Sequence, residues 1–136
     1  MSKYVYNKTI EDYDEEKIQD FETIIIKQNY DRVNFIDKND IYIGFDFYQQ
    51  CCESFGYYIS NEVDSEAISI YKIKGYYFDT KKSLEKKLKI NDNSACIKLI
   101  NDKNEYLYLH LYNNHNGYYC HEVWIEKDDD GFRYCL

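Results

Sequence analysis

Two stretches of this chain alternate apolar and polar side chains with the two-residue period of a β-strand. In the first, Val33 and Phe35 lead into Asp37-Lys38-Asn39-Asp40, and Ile41, Ile43, Phe45 and Phe47 follow. In the second, Cys96 to Ile100 leads into Asn101-Asp102-Lys103-Asn104, and Leu107, Leu109 and Leu111 follow. Such alternation buries one face of a strand and turns the other outward. The Asn and Asp side chains between the runs can bond local backbone and favour turns. Each stretch therefore reads as a β-hairpin, and the fold must be built on antiparallel sheet.

The two hairpins overlay without a gap at an offset of 64 positions. Val33-Asn34-Phe35-Ile36 falls on Ile97-Lys98-Leu99-Ile100, and Tyr48-Gln49-Gln50 falls on Tyr112-Asn113-Asn114. At an offset of 61, Gly56-Tyr57-Tyr58 lands on Gly117-Tyr118-Tyr119. Alternation alone aligns any two hairpins, so the Tyr-polar-polar and Gly-Tyr-Tyr matches carry the weight. They point to an internal repeat, residues 33–63 and 97–123, with its two junctions as equivalent sites on one rim.

The remaining elements are shorter. Tyr13, Ile18 and Phe21 stand near helical spacing behind Thr9, Asp12 and Glu15, which suit a helix N-terminus. Thr80 to Lys89 carries Leu84 and Leu88 at i and i+4, with Thr80 or Ser83 as cap. Ile24-Ile25-Ile26, residues 54–60 and Tyr118 to Lys127 read as strands, and Phe132 and Tyr134 as a terminal edge. The expected fold is α+β. It is a single domain over residues 1–136, a twisted antiparallel sheet of six to eight strands with one or two short helices.

Composition narrows the function classes. The formal net charge is −8, which argues against direct binding to nucleic acid and leaves a basic protein as a fitting partner. No apolar stretch approaches the length of a membrane span. Seventeen tyrosines exceed what a core needs, and rigid rings with hydrogen-bonding tips favour an adhesive surface. Five cysteines, with no signal peptide before them, read as free thiols in a cytoplasmic protein.

Each hairpin ends in a polar junction, Cys51-Cys52-Glu53 after the first and Asn113 to Glu122 after the second. Cys51 or Cys52 with His110 or His121 and Glu53 or Glu122 could form a nucleophile, base and orienting acid if the junctions met. Adjacent cysteines on a strand point to opposite faces, however, and no helix N-terminus stands by to lower a thiol pKa. Cys51, Cys52, Cys120, His115 and His121 offer zinc-ligand atoms without the Cys-x-x-Cys spacing of a rigid half-site. No catalytic residue, metal or cofactor is assigned on this reading.

The stretch from Phe45 to Ser54, which holds Gln50-Cys51-Cys52-Glu53-Ser54, with the later Asn116-Gly117-Tyr118-Tyr119 and Glu122-Val123, resembles a group of small uncharacterised bacteriophage and prophage proteins. These share a Gln-Asp-Cys-Cys-Glu-Ser core and a late Asn-Gly-Tyr-Tyr. Gln50 stands where that group usually has Asp, and the histidine usual before the core is absent here. The resemblance implies phage or mobile-element biology, where small acidic proteins often inhibit or sequester host defence factors.

The expected activity is therefore non-catalytic binding of a host protein or a small-molecule ligand in the host cytoplasm. The alternatives are a small Cys/His-dependent or metal-dependent enzyme and a structural or assembly accessory. The candidate binding residues are Tyr48, Gln50, Glu53, Tyr57, Tyr58, Tyr108, His110, Tyr112, Tyr118, Tyr119, His121 and Glu122. Exposed edges and abundant tyrosine favour a homodimer.

Overall fold

The alternating runs do form hairpins, and they belong to different sheets. The computed structural model describes residues 5–6, 17–29, 31–48, 54–62, 65–79, 88–91, 94–113, 120–127 and 130–136. Its strands are β1 (Val5–Tyr6), β2 (Lys17–Asp20), β3 (Ile24–Gln28), β4 (Arg32–Asp37), β5 (Ile41–Asp46) and β6 (Phe55–Ser60). Then come β7 (Ala67–Ile68), a 3-10 turn (Ile70–Ile73), β8 (Tyr77–Phe78) and β9 (Leu88–Asn91). The last four are β10 (Ser94–Ile100), β11 (Tyr106–Asn113), β12 (Glu122–Lys127) and β13 (Asp130–Cys135).

Sheet A runs β1-β6-β11-β10-β8, with β7 also on β6 and β9 also on β10. Sheet B runs β13-β12-β5-β4-β3-β2. Every pairing is antiparallel. Their inner faces share one core. Phe35 of sheet B meets the Tyr57 ring of sheet A edge-on at 5.0 Å, and Phe47 meets Phe55 at 5.1 Å. This is a two-layer β-sandwich, in which both apolar faces are buried against each other.

The α+β expectation is thus overturned. Among the described residues the only helical element is the 3-10 turn. Lys17–Asp20, expected in a helix, is instead an edge strand on β3. A helix this short has little stability of its own, and the isoleucine-rich β3 offers a ready partner. Phe21 enters the core just after the strand, while Ile18 points out. Of the second expected helix, residues 80–87 lie outside the described set, and Leu88–Asn91 is a strand.

The offset of 64 holds in the hydrogen bonding. Val33 pairs with Phe45 and Phe35 with Ile43; 64 positions on, Ile97 pairs with Leu109 and Leu99 with Leu107. The turns agree atom for atom. Asp37 Oδ1 accepts from the amides of Asn39 and Ile41, as Asn101 Oδ1 accepts from those of Lys103 and Glu105. Asp40 and Asn104, also 64 apart, both take a left-handed φ of 62°. Asp and Asn tolerate that conformation better than other residues with a Cβ.

The next strand of each unit crosses to the other sheet, where Ile59 pairs with Leu109 and Val123 with Phe45. Here too the offset is 64, so Tyr57 is equivalent to His121. Gly117-Tyr118-Tyr119, matched to Gly56-Tyr57-Tyr58 at the offset of 61, lie outside the described residues. The two turns meet at one end of the sandwich. There Lys38 Nζ lies 3.7 Å from Asp102 and 4.0 Å above the ring of Tyr77, whose hydroxyl donates to Asp102 at 3.0 Å.

Candidate functional site

The end of the sandwich opposite those turns gathers the strand ends that border both junctions. β5 ends and β6 begins there on one side, and β11 ends and β12 begins on the other. His121 joins them. Its Nδ1 donates to the Asp46 carbonyl at 2.7 Å, and its ring stacks on Phe55 at 4.0 Å. The terminal Leu136 exchanges both backbone hydrogen bonds with His121, and its carbonyl also accepts from Asn113 Nδ2 at 3.0 Å. Phe55 and Asn113 are paired neighbours in sheet A. The described strand ends on either side of residues 49–53 and 114–119 therefore share one hydrogen-bonded platform.

Tyr48 stands at this rim and is 43% exposed, its amide held by Asp46 Oδ1. His121 is 1% exposed, so it builds the platform rather than its surface. Gln50, Glu53, Tyr118, Tyr119, His115 and the Cys51-Cys52 pair lie outside the described residues. Cys120 and Cys135 form a disulfide across the base of β12 and β13. That corrects the expectation that all five thiols are free, and it removes Cys120 from the zinc-ligand set. The odd cysteine count hid the pairing.

The other expected site residues divide among three places. Tyr57 is fully buried between the sheets, and burial pushes its hydroxyl pKa far above the ordinary tyrosine value. It belongs to the core and not to a binding surface, because it shares strand parity with Phe55 and Ile59. Tyr58, Tyr108, His110 and Tyr112 are brought together on the outer face of sheet A. Tyr58 stacks on His110 at 4.3 Å and 5°. Glu122 lies on the outer face of sheet B and pairs with Arg133 at 3.3 Å.

Sequence reasoning missed Ser60, whose Oγ lies 2.7 Å from His110 Nε2. Ser60 also donates to the Glu62 carbonyl at 2.5 Å, so the proton in the Ser60–His110 contact comes from the imidazole. In that tautomer Nε2 cannot act as a base toward the serine. With Ser60 fully buried, the pair is a structural lock across β6 and β11. His110 and His121 are both buried and have different partners, Ser60 for one and the Asp46 carbonyl and Phe55 for the other, so they do not combine into one acid–base set. Among the described residues no group of three His, Cys, Asp or Glu side chains could hold a metal ion, and no helix is long and apolar enough to cross a membrane.

A second constellation, also missed, covers the outer face of sheet B. Arg32 Nε donates to Asn34 Oδ1 at 2.8 Å and Arg32 Nη2 to the Tyr42 hydroxyl, which itself donates to Asn34 Oδ1. The guanidinium lies 4.4 Å from the Trp124 ring and 5.3 Å from that of Tyr42. Gly44 makes room for it: a Cβ there would stand 3.0 Å from Arg32 Nη2 and from the Tyr42 oxygen. Burial raises the Tyr42 pKa, the Arg32 charge opposing the shift. The signal in the sequence was parity, since Arg32 and Asn34 alternate with the buried Val33 and Phe35.

Compared with known proteins, the chain matches no family model, no curated protein and no solved structure.

Proposed function

We propose that this chain is a non-catalytic binding protein whose binding surface is the end of the β-sandwich that borders two polar segments, 48–54 with Tyr48 and 113–121 with Tyr118 and Tyr119. The observation that carries this reading is the His121 platform. One imidazole ties the end of β5 to the start of β12, and Leu136 ties β12 to the end of β11. Loops that leave a stiff scaffold together are the usual place for recognition, because the scaffold keeps the ordering entropy of the contact residues low. Tyrosine supplies broad contact with few rotatable bonds.

The partner in this proposal is a host protein with a basic surface, which the net charge of −8 would steer toward the chain. The phage-type resemblance of the Cys51-Cys52-Glu53-Ser54 core supplies the context: inhibition or sequestration of a host defence factor. The test is native mass spectrometry of the protein mixed with host lysate, beside a Tyr48→Ala, Tyr118→Ala, Tyr119→Ala variant. The expected result is a captured host protein that the triple variant loses while melting at the wild-type temperature. Capture that survives the triple substitution refutes the rim as the binding surface. A retained small mass in place of a protein would instead identify a ligand sponge.

A further inference from the structure

We infer that the outer face of sheet B is a self-association surface that pairs two copies of this chain across a two-fold axis. The face carries apolar and aromatic side chains among its charges. Ile25 and Ile36 are neighbours on β3 and β4, Tyr42 and Trp124 flank Gly44, and Ile18 on the edge strand is 60% exposed. Trp, Tyr and Arg are the residues that most often carry binding energy at protein interfaces.

The charges on this face select the partner. Arg32 is fixed over Gly44 by neutral oxygens alone and is in no ion pair among the described residues. Glu126, on β12 opposite Tyr42, is exposed and likewise unpaired among them. Arg32 and Glu126 lie diagonally across the Tyr42–Trp124 neighbourhood, one on β4 and the other on β12. Within one chain the guanidinium is held instead by Asn34 and the Tyr42 hydroxyl, beside the rings of Tyr42 and Trp124. A two-fold axis lying in the face and passing close to Tyr42 and Trp124 would bring Arg32 of each copy onto Glu126 of the other. Both unpaired charges would then be matched twice, as an isologous interface requires. The guanidinium is already held flat, so little rotamer freedom is lost on pairing.

This surface rests on the charges of a sheet face and not on the two junction segments proposed to bind a host protein, so the two readings are tested separately. A dimer would also carry two copies of those segments, which raises the avidity for a partner with repeated sites.

The test is a charge exchange read by native mass spectrometry and light scattering. Wild type should be a dimer. Arg32→Glu and Glu126→Arg should each weaken it by on the order of a hundredfold, since like charges would then face each other twice. An equimolar mixture of the two variants should restore a dimer of mixed mass, because Glu at 32 then meets Arg at 126 and Arg32 meets Glu126. Glu126→Arg alters an exposed side chain and keeps the test valid if Arg32→Glu fails to fold. A wild type that stays monomeric at its highest soluble concentration overturns the proposal. So does a dimer that Glu126→Arg leaves intact.

Discussion

Replacing Asp37 separates two jobs that one carboxylate performs. Oδ1 closes the β4–β5 turn by accepting from Asn39 and Ile41 at 2.9 Å each, while Oδ2 accepts from the Phe78 amide of the other sheet at 3.1 Å. Asn101 performs the first job alone in the equivalent turn, so the molecule carries its own control. Asp37→Ala leaves the buried amides of Ile41 and Phe78 without acceptors, each worth about 1–3 kcal/mol. Relief of the desolvated carboxylate offsets part of this, and the net loss should be about 3 kcal/mol. That corresponds to a melting point roughly 10 °C lower. Asp37→Asn keeps the turn and opposes an amide NH2 to the Phe78 N–H, for a loss of about 1–2 kcal/mol.

The pH dependence fixes the sign. Burial raises the Asp37 pKa above 3.8, against the pull of its three backbone donors. The folded state therefore holds this proton more tightly than the unfolded state does. The associated stability is fully present below the unfolded pKa and is lost as pH rises through the raised folded value. Urea unfolding of wild type and Asp37→Asn from acid to neutral pH should show the wild-type advantage shrinking as pH rises. An advantage that grows with pH would refute the reasoning, as would Asn proving as damaging as Ala.

Two further outcomes are expected. Replacing Cys120 and Cys135 with serine opens a 15-residue separation and should cost about 3 kcal/mol, read as a lower melting point that added reductant no longer changes. Tyr57→Phe removes a hydroxyl whose contact with Gln28 is long, at 3.4 Å, so stability should fall by no more than about 1 kcal/mol with partner capture unchanged. Loss of capture in that variant would return Tyr57 to the binding surface.

Alternation made the hairpins legible because the period of a strand is written directly in the side chains. The shared turn chemistry was legible too, since Asp37 and Asn101 present the same acceptor at the same place. Parity set Tyr108, His110 and Tyr112 opposite the leucines of β11, although His110 and Tyr112 are buried, and it would have placed Tyr57 inward had Phe55 and Ile59 been weighed with it. Alternation says which face is buried and not against what, so the split into two sheets was out of reach. The Lys17–Asp20 strand was hidden because its structure is set by β3 and not by its own residues. His121 gave no sign of its role. Its partners, Asp46 and Phe55, lie far from it in sequence.

The crossing of β12 to β5 bears on how the chain is made. During synthesis β3, β4 and β5 emerge early, but the free edge of β5 receives its partner only when Val123 and Ile125 arrive, about 80 residues later. Until then a nascent chain displays an unpaired apolar strand of the kind that recruits other chains. Long-range pairing of this sort also slows closure once release is complete. Truncation anywhere before Glu122 should therefore give insoluble material and not a smaller domain, and the last fifteen residues decide whether the first half of the chain survives.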